Sequence, residues 1–429
     1  MIEMRLSDMD SSVQNARLFK LAILSISLVL TVTTAVSTAL PAMITAFKQY
    51  PPTQVEMLTT LPTISLLITV LASSWIVKHI GARHATLIGL VLALLAGLVP
   101  VFVTQYPVIF ISRLLLGVGV GLFNNLAYSL IMAVYDGEER QTMLGFQSAV
   151  GTVGNAAAAF VVGLLVTSGW QMAFNVNWLF VVPLILFGLF AGKIDQLTKV
   201  AVVADNTQAS VKKKATTNVA VLGYVVLIAT FFAFYFGLML KLAGFLVEQG
   251  LGTAATAAAQ LSVMSLLGLV PSLLYGKIYK HLRRLTIPTG LIFAGLGLWA
   301  IVSANTVVMV WIGVSLVGLG LPIFMPAVFG RVAEVQPVGT SNLSSALMLV
   351  GINVAVFLSP QILALVTPLT GQTTNKATLL VATLMMFLLA AIQLASVIYK
   401  RPTIRHHRRM GLWHNLTHKS IRRMASSLN

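Results

Sequence analysis

The sequence predicts an all-helical integral membrane protein, with twelve transmembrane helices arranged as two parallel six-helix repeats. Three observations predict it. The 429 residues are 57% hydrophobic and only 9% charged, with mean hydropathy +0.91, where a soluble domain carries roughly 25% charged residues. Apolar runs recur near 20–46, 55–77, 85–103, 107–134, 141–167 and 170–192, and again near 219–245, 254–276, 286–304, 307–332, 341–367 and 375–399. Each approaches the about 20 residues that cross a ~30 Å hydrocarbon core. Finally, the basic turn Ser74-Trp75-Ile76-Val77-Lys78-His79-Ile80-Gly81-Ala82-Arg83-His84 returns as Gly276-Lys277-Ile278-Tyr279-Lys280-His281-Leu282-Arg283-Arg284. A recurrence about two hundred residues apart marks a duplicated half, because solenoid periods are 20–50 residues.

Taken in order, the chain divides into an N-terminal segment (1–19), a first six-helix bundle (20–192), a polar linker (193–218), a second bundle (219–399) and a basic tail (400–429). The first apolar run, Leu21 to Ala46, is longer than the roughly 7–15-residue core of a cleaved signal, so it reads as the first span. An even number of spans puts both termini on one side. Of the 28 Lys and Arg, only Lys48 and Lys376 fall on the opposite side, and only Arg113 and Lys241 fall within spans. All the others, and every histidine, collect on the side of the termini. By the positive-inside rule that side is cytoplasmic, and the expected location is the cell membrane. The formal charge of +17 therefore reports topology, and nucleic acid is not expected as a partner.

The duplication extends past the basic turns. Gly89 and Gly290 hold matching places in the spans that follow them. Gly117-x-Gly119-x-Gly121 in the fourth span is echoed by Gly318-x-Gly320 in the tenth, and Ser148-Ala149 with Val153-Gly154 by Ser345-Ala346 with Val350-Gly351. Small residues at helical spacing let neighbouring helices approach closely. Two parallel six-helix repeats are a known transporter architecture.

Over roughly residues 18–400 the chain resembles the major facilitator superfamily. The turn between its second and third spans corresponds to that family's Gly-x-Leu-x-Asp-Arg-x-Gly-Arg-Arg pattern. Gly81 and Arg83 match; Ser74, Lys78 and His79 replace Gly, Asp and Arg. In the second copy Gly276, Ile278, Arg283 and Arg284 match, while Lys280 stands at the Asp position. The resemblance implies a gating role for these turns, with the acidic latch absent or rebuilt. Arg113-x-x-x-Gly117-x-Gly119-x-Gly121 is similar to the family's Arg-x-x-x-Gly-x-Gly-x-Gly motif, whose arginine is implicated in proton handling. Two turns from the outer surface, Arg113 could equally snorkel. Gly154-Asn155-Ala156-Ala157-Ala158-Ala159 resembles the Gly-Pro-x-x-Gly-Gly motif of exporters, with Asn155 in place of Pro.

In such a transporter, substrate binds near the midplane between the repeats. The candidates to line that cavity are Thr34, Asn124, Asn125, Gln147, Asn155, Asn177, Trp178, Phe232, Tyr235, Gln260 and Asn353. Each amide has the alternative of bonding a neighbouring helix, and each aromatic that of packing. None of the eleven acids lies at the centre of a span, so a neutral or anionic ligand is expected to be tolerated better than a cation. Lys241, near the outer end of the seventh span, reads either as a snorkelling boundary lysine or as an anion-recruiting charge. Glu56, at the outer start of the second span, is the candidate for proton coupling.

Other chemistries are excluded. The chain has no cysteine, hence no disulfide, thiol catalysis or Cys-ligated zinc, and no histidine pair with metal spacing lies in a span. It shows no phosphate-binding loop, and no cofactor is expected. The tail, with His406 and His407 among its basic residues, reads as a surface for anionic lipids. The reading is a monomeric secondary transporter, not an enzyme, working by alternating access and leaning to proton-linked export of a drug or metabolite. Uptake or uniport of a neutral or anionic metabolite is the rival. A lipid flippase or transporter-like sensor is the alternative of another class.

Overall fold

The computed structural model describes residues 17–29, 32–124, 131, 135, 137–189, 217–337 and 340–399. Asn125, the body of the linker and the tail lie outside them, as do the side chains of Thr34 and Lys78. Every regular element among the described residues is helical. The first span is broken into α1 (Arg17–Val29), α2 (Val32–Ala35), a 3₁₀ turn at Val36–Ala39 and α3 (Leu40–Ala46). There follow α4 (Pro52–Ile80), α5 (Ala82–Phe102), α6 (Tyr106–Phe123) and α7 (Gly137–Leu165). The sixth span opens as a 3₁₀ helix, Met172–Phe180, and continues as α8, residues 181–189. The second half comprises α9 (Val219–Glu248), α10 (Ala254–Leu267), α11 (Leu269–Leu282), α12 (Thr286–Val302), α13 (Val307–Val335), α14 (Ser341–Val366) and α15 (Asn375–Tyr399).

Among the described residues, ten helical stretches are long and apolar enough to cross a membrane. One of them, Ala254–Val302, holds the eighth and ninth spans together, and the interrupted first span is not among them. The arrangement is consistent with twelve crossings. Helices alternate between a basic face, carrying the turns after α4 and α11, and a far face, carrying the ends of α3, α9 and α14.

The duplication is visible in the backbone. α4 gives way to α5 through the single residue Gly81 at φ +80°, and α11 ends on Arg283 at φ +46°. These are equivalent positions in the two basic turns, and both reverse the chain through positive φ. Glycine holds that conformation without cost, whereas arginine does so under strain.

The glycine motifs pack in the same way in both halves. A Cβ on Gly89 would lie 2.6 Å from the Gly119 carbonyl oxygen, and one on Gly119 would lie 2.7 Å from that of Gly89. In the second half, Gly290 and Gly320 face each other's carbonyls at 2.9 and 2.7 Å. These glycines let α5 seat on α6 and α12 on α13 backbone to backbone. Gly119→Ala should therefore lower the melting temperature of purified protein, at the about 1–3 kcal/mol typical of overpacking. Gly145, where an added Cβ would meet nothing within 4 Å, is the control. Gly145→Ala should leave melting unchanged or raise it, and equal effects at both positions would refute the close approach.

Candidate functional site

The two halves meet where α4 runs along α14 and α7 along α10, with the Val36–Ala39 turn lodged against α7, α9 and α10. Small residues make the second seam tight. A Cβ on Gly163 of α7 would lie 2.6 Å from the Ala258 Cβ of α10. Ala158 and Ala159 of the same helix are also buried.

Four polar contacts join the halves among the described residues. Thr60 Oγ1 donates to the Phe357 carbonyl at 3.3 Å and Thr63 Oγ1 to the Asn353 carbonyl at 3.4 Å. Asn155 Nδ2 donates to Ser265 Oγ at 2.8 Å. The fourth is an ion pair, Lys241 Nζ to Glu56 Oε1. At 1.5 Å rise per residue, Glu56 sits roughly 6 Å below the far-face start of α4 and Asn353 roughly 20 Å below the far-face end of α14. The four contacts therefore run from near the far end to about the middle of the helices, and none of them joins the halves at the basic end.

Glu56 is 3% exposed, and Lys241 is mostly covered. Alone, each would be a costly buried charge; together they cancel. Lys241 is thus neither a snorkelling boundary residue nor a free cation able to recruit anions, because Glu56 neutralises it. Two residues singled out separately in the sequence thus form one feature, a buried ion pair between the halves.

Arg113 is also buried, at 3% exposure, and points inward instead of snorkelling. Its Nη2 donates to the carbonyls of Ala96 at 2.8 Å and Gly97 at 3.1 Å, and its guanidinium lies 4.9 Å from the centre of the Phe174 ring. The Ala96 contact has a local cause. Pro100 lies inside α5, and a helical proline has no N–H for the carbonyl four residues earlier. That carbonyl belongs to Ala96, and Arg113 supplies the missing donor. Asn177 completes the bracket, with Nδ2 donating to Gly97 and Phe174 carbonyls at 3.0 and 2.7 Å. Arg113 and Asn177 therefore brace the first half internally, away from the seam.

Other candidates fall elsewhere. Trp178 is 54% exposed and shares a stripe with the exposed Val182, Ile185 and Leu189. An apolar stripe at this spacing faces lipid, which removes Trp178 from the cavity. Phe232 and Tyr235 belong to an aromatic cluster in which Tyr235 stacks on Phe231, and Phe231 on Phe324 at 4.2 Å, so they pack α9 on α13. Gln260 is fully buried with neither amide atom partnered, but it lies about 200° around α10 from Ala258 and turns away from α7. Asn353 bonds back to the Leu349 carbonyl at 2.9 Å and meets the seam through its backbone. Asn124 and Gln147 are partly buried on α6's end and α7, and Gly154 takes the α1 backbone, where a Cβ would collide with the Leu28 carbonyl oxygen. Among the described residues no cluster of acidic, histidine or cysteine side chains could hold a metal.

Sequence reasoning missed Thr60, Thr63, Ser265 and Gly163. Their chemistry is ordinary for spans, and only the pairing of α4 with α14 and α7 with α10 gives them a role.

The comparisons agree with this fold. The family model for the Major Facilitator Superfamily matches residues 22–360. No curated protein matches the sequence. A peptide transporter POT solved with sulfate superposes with TM-score 0.73 at 14% identity, covering 92% of this chain and 98% of its own. A variant of the nucleoside transporter NupG gives TM-score 0.68 at 14% identity over 88% and 99% of the two chains. The xylose transporter XylE from E. coli, in a partially occluded inward open conformation, gives 0.65 at 14% over 88% and 97%. At such identities the likeness is one of fold.

Proposed function

The chain belongs to the major facilitator superfamily, and we propose that it is a proton-linked exporter of a small organic solute, with Glu56 as the coupling carboxylate. One observation carries the reading: Glu56 and Lys241 form a buried ion pair between the halves. Opening the far face pulls that pair apart. Protonation of Glu56 leaves the Lys241 ammonium buried without a counter-ion while the far face is sealed, a cost relieved when opening brings Lys241 to water. Proton uptake at Glu56 and opening of the far face are thereby linked. The basic face is cytoplasmic by its Lys and Arg content, so the contacts that run inward from the far end close the outer side of an inward-facing state. Export is favoured by the α7 run at Gly154 to Ala159, which resembles an exporter motif and from which Asn155 reaches Ser265 across the seam.

Uptake of a neutral or anionic metabolite is the second reading. It is favoured by the scarcity of acids in the spans and by neighbours in fold that carry peptides, nucleosides and xylose. A thermal-shift screen against organic anions, sugars, nucleosides and lipophilic cations finds ligands, since binding to the folded state raises melting by mass action. Each ligand is then given to vesicles with an imposed pH gradient. Accumulation inside vesicles with the basic face outward and an acidic lumen is the expected result. Accumulation only with the far face outward and an acidic exterior would establish uptake. Flux of stabilising ligands that ignores the pH gradient would remove the proton from the mechanism.

A further inference from the structure

We propose that the last turns of α11 form a binding site for the phosphate headgroup of an acidic phospholipid in the leaflet at the basic face. Leu274, Lys277, Ile278, His281 and Leu282, spaced by three or four residues along one side of the helix, line a surface cavity of about 330 Å³. Its apolar members alternate with two groups able to carry positive charge. Along the helix Leu274 lies deepest, Lys277 and Ile278 about one turn nearer the basic face, and His281 and Leu282 nearest to it. A phosphate held at Lys277 and His281 leaves its acyl chain to run inward past Leu274. The neighbouring Leu273 is 83% exposed, so no described helix covers this side of α11.

The site's cations have no acid to satisfy them. The acids whose side chains are described are engaged elsewhere: Glu56 with Lys241, Glu139 with Lys20, Glu334 with Arg331, and Glu248 with the Asn375 N–H. Lys277, Lys280, His281, Arg283 and Arg284 thus crowd one helix end without a carboxylate partner among the described residues. His281 already has its Nδ1 on the Lys277 carbonyl at 2.9 Å. That bond turns Nε2 outward, where the imidazolium form donates to a phosphate oxygen.

The duplicated turn supplies an internal contrast. In the first half Trp75 occupies the position of Lys277, and its ring lies 4.5 Å from that of His79, the counterpart of His281. There an aromatic side chain covers the imidazole. In the second half a lysine stands in its place, and the ring is left open beside a second cation.

The test uses the full-length protein, basic tail included, reconstituted in phosphatidylcholine with and without phosphatidylglycerol, with inorganic phosphate as a separate arm. Phosphatidylglycerol should raise the apparent melting temperature of the wild type. The Lys277→Ser/His281→Ser variant should melt like wild type in phosphatidylcholine and lose most of that increment. Should the double variant melt low in phosphatidylcholine, Lys277→Trp takes its place: it copies the arrangement the first half already folds with, and it too should lose the increment. An undiminished increment in the variants would assign the effect to other cations, the tail among them, and overturn the site. So would inorganic phosphate raising melting as far as the lipid does.

Discussion

Glu56→Gln should open the far face. The substitution keeps the shape of the side chain and removes its charge, leaving the Lys241 ammonium buried in the seam without a counter-ion. Breaking a buried pair from one side costs about 3–5 kcal/mol. The cost falls on the sealed state, because in the open state Lys241 meets water. At 1.4 kcal/mol per tenfold, the equilibrium moves towards the open state by roughly a hundredfold or more. The chain has no cysteine, so one engineered thiol reports the change without background. Ser37 is fully buried in the turn lodged at the seam. In a Ser37→Cys background, a membrane-impermeant maleimide added at the far face should label the Glu56→Gln variant about ten- to a hundredfold faster than its parent, within the shift expected from the buried charge. Lys241→Gln should act in the same direction. The exchange Glu56→Lys with Lys241→Glu should restore slow labelling, a recovery that general unfolding would not show. Equal labelling in all variants would mean the pair does not hold the seal.

The sequence made much of this fold legible because its signals are local. Span length, the crowding of Lys and Arg on one face, and matched glycines two hundred residues apart each follow from short stretches of chain. The pairs Gly89 with Gly119 and Gly290 with Gly320 then turn out to be the same backbone contact made twice. The seam was not legible, since Glu56 and Lys241 are 185 positions apart and each looks like an isolated charge at a helix end. Nothing in either neighbourhood names the other; only the folded chain brings the two side chains together. Trp178 shows the opposite failure. An aromatic residue in the middle of a span attracts attention by its chemistry, while its side of the helix, shared with Val182, Ile185 and Leu189, is what decides its surroundings.

Arg113 is the case in which a motif and its geometry divide most sharply, and a double-mutant cycle separates them. The resemblance implies a part in proton handling; the structure gives the guanidinium a carbonyl that Pro100 has left without a donor. Arg113→Met should cost about 2–3 kcal/mol of stability, the scale of charge-assisted hydrogen bonds lost from a buried acceptor, with the contact to Phe174 adding to it. Pro100→Ala returns a backbone N–H four residues beyond Ala96. In that background the carbonyl closes an ordinary helical bond, and Arg113→Met should be milder by about 1 kcal/mol, within the range seen for coupled neighbours. Additive effects would show that the proline and the arginine do not share the Ala96 oxygen. Transport by the double variant decides the remaining question. If stability and pH-driven flux recover together, Arg113 is a brace that keeps α5 on α6. If stability recovers and pH-driven flux does not, the arginine also takes part in coupling, and Glu56 is not the whole of the proton's path.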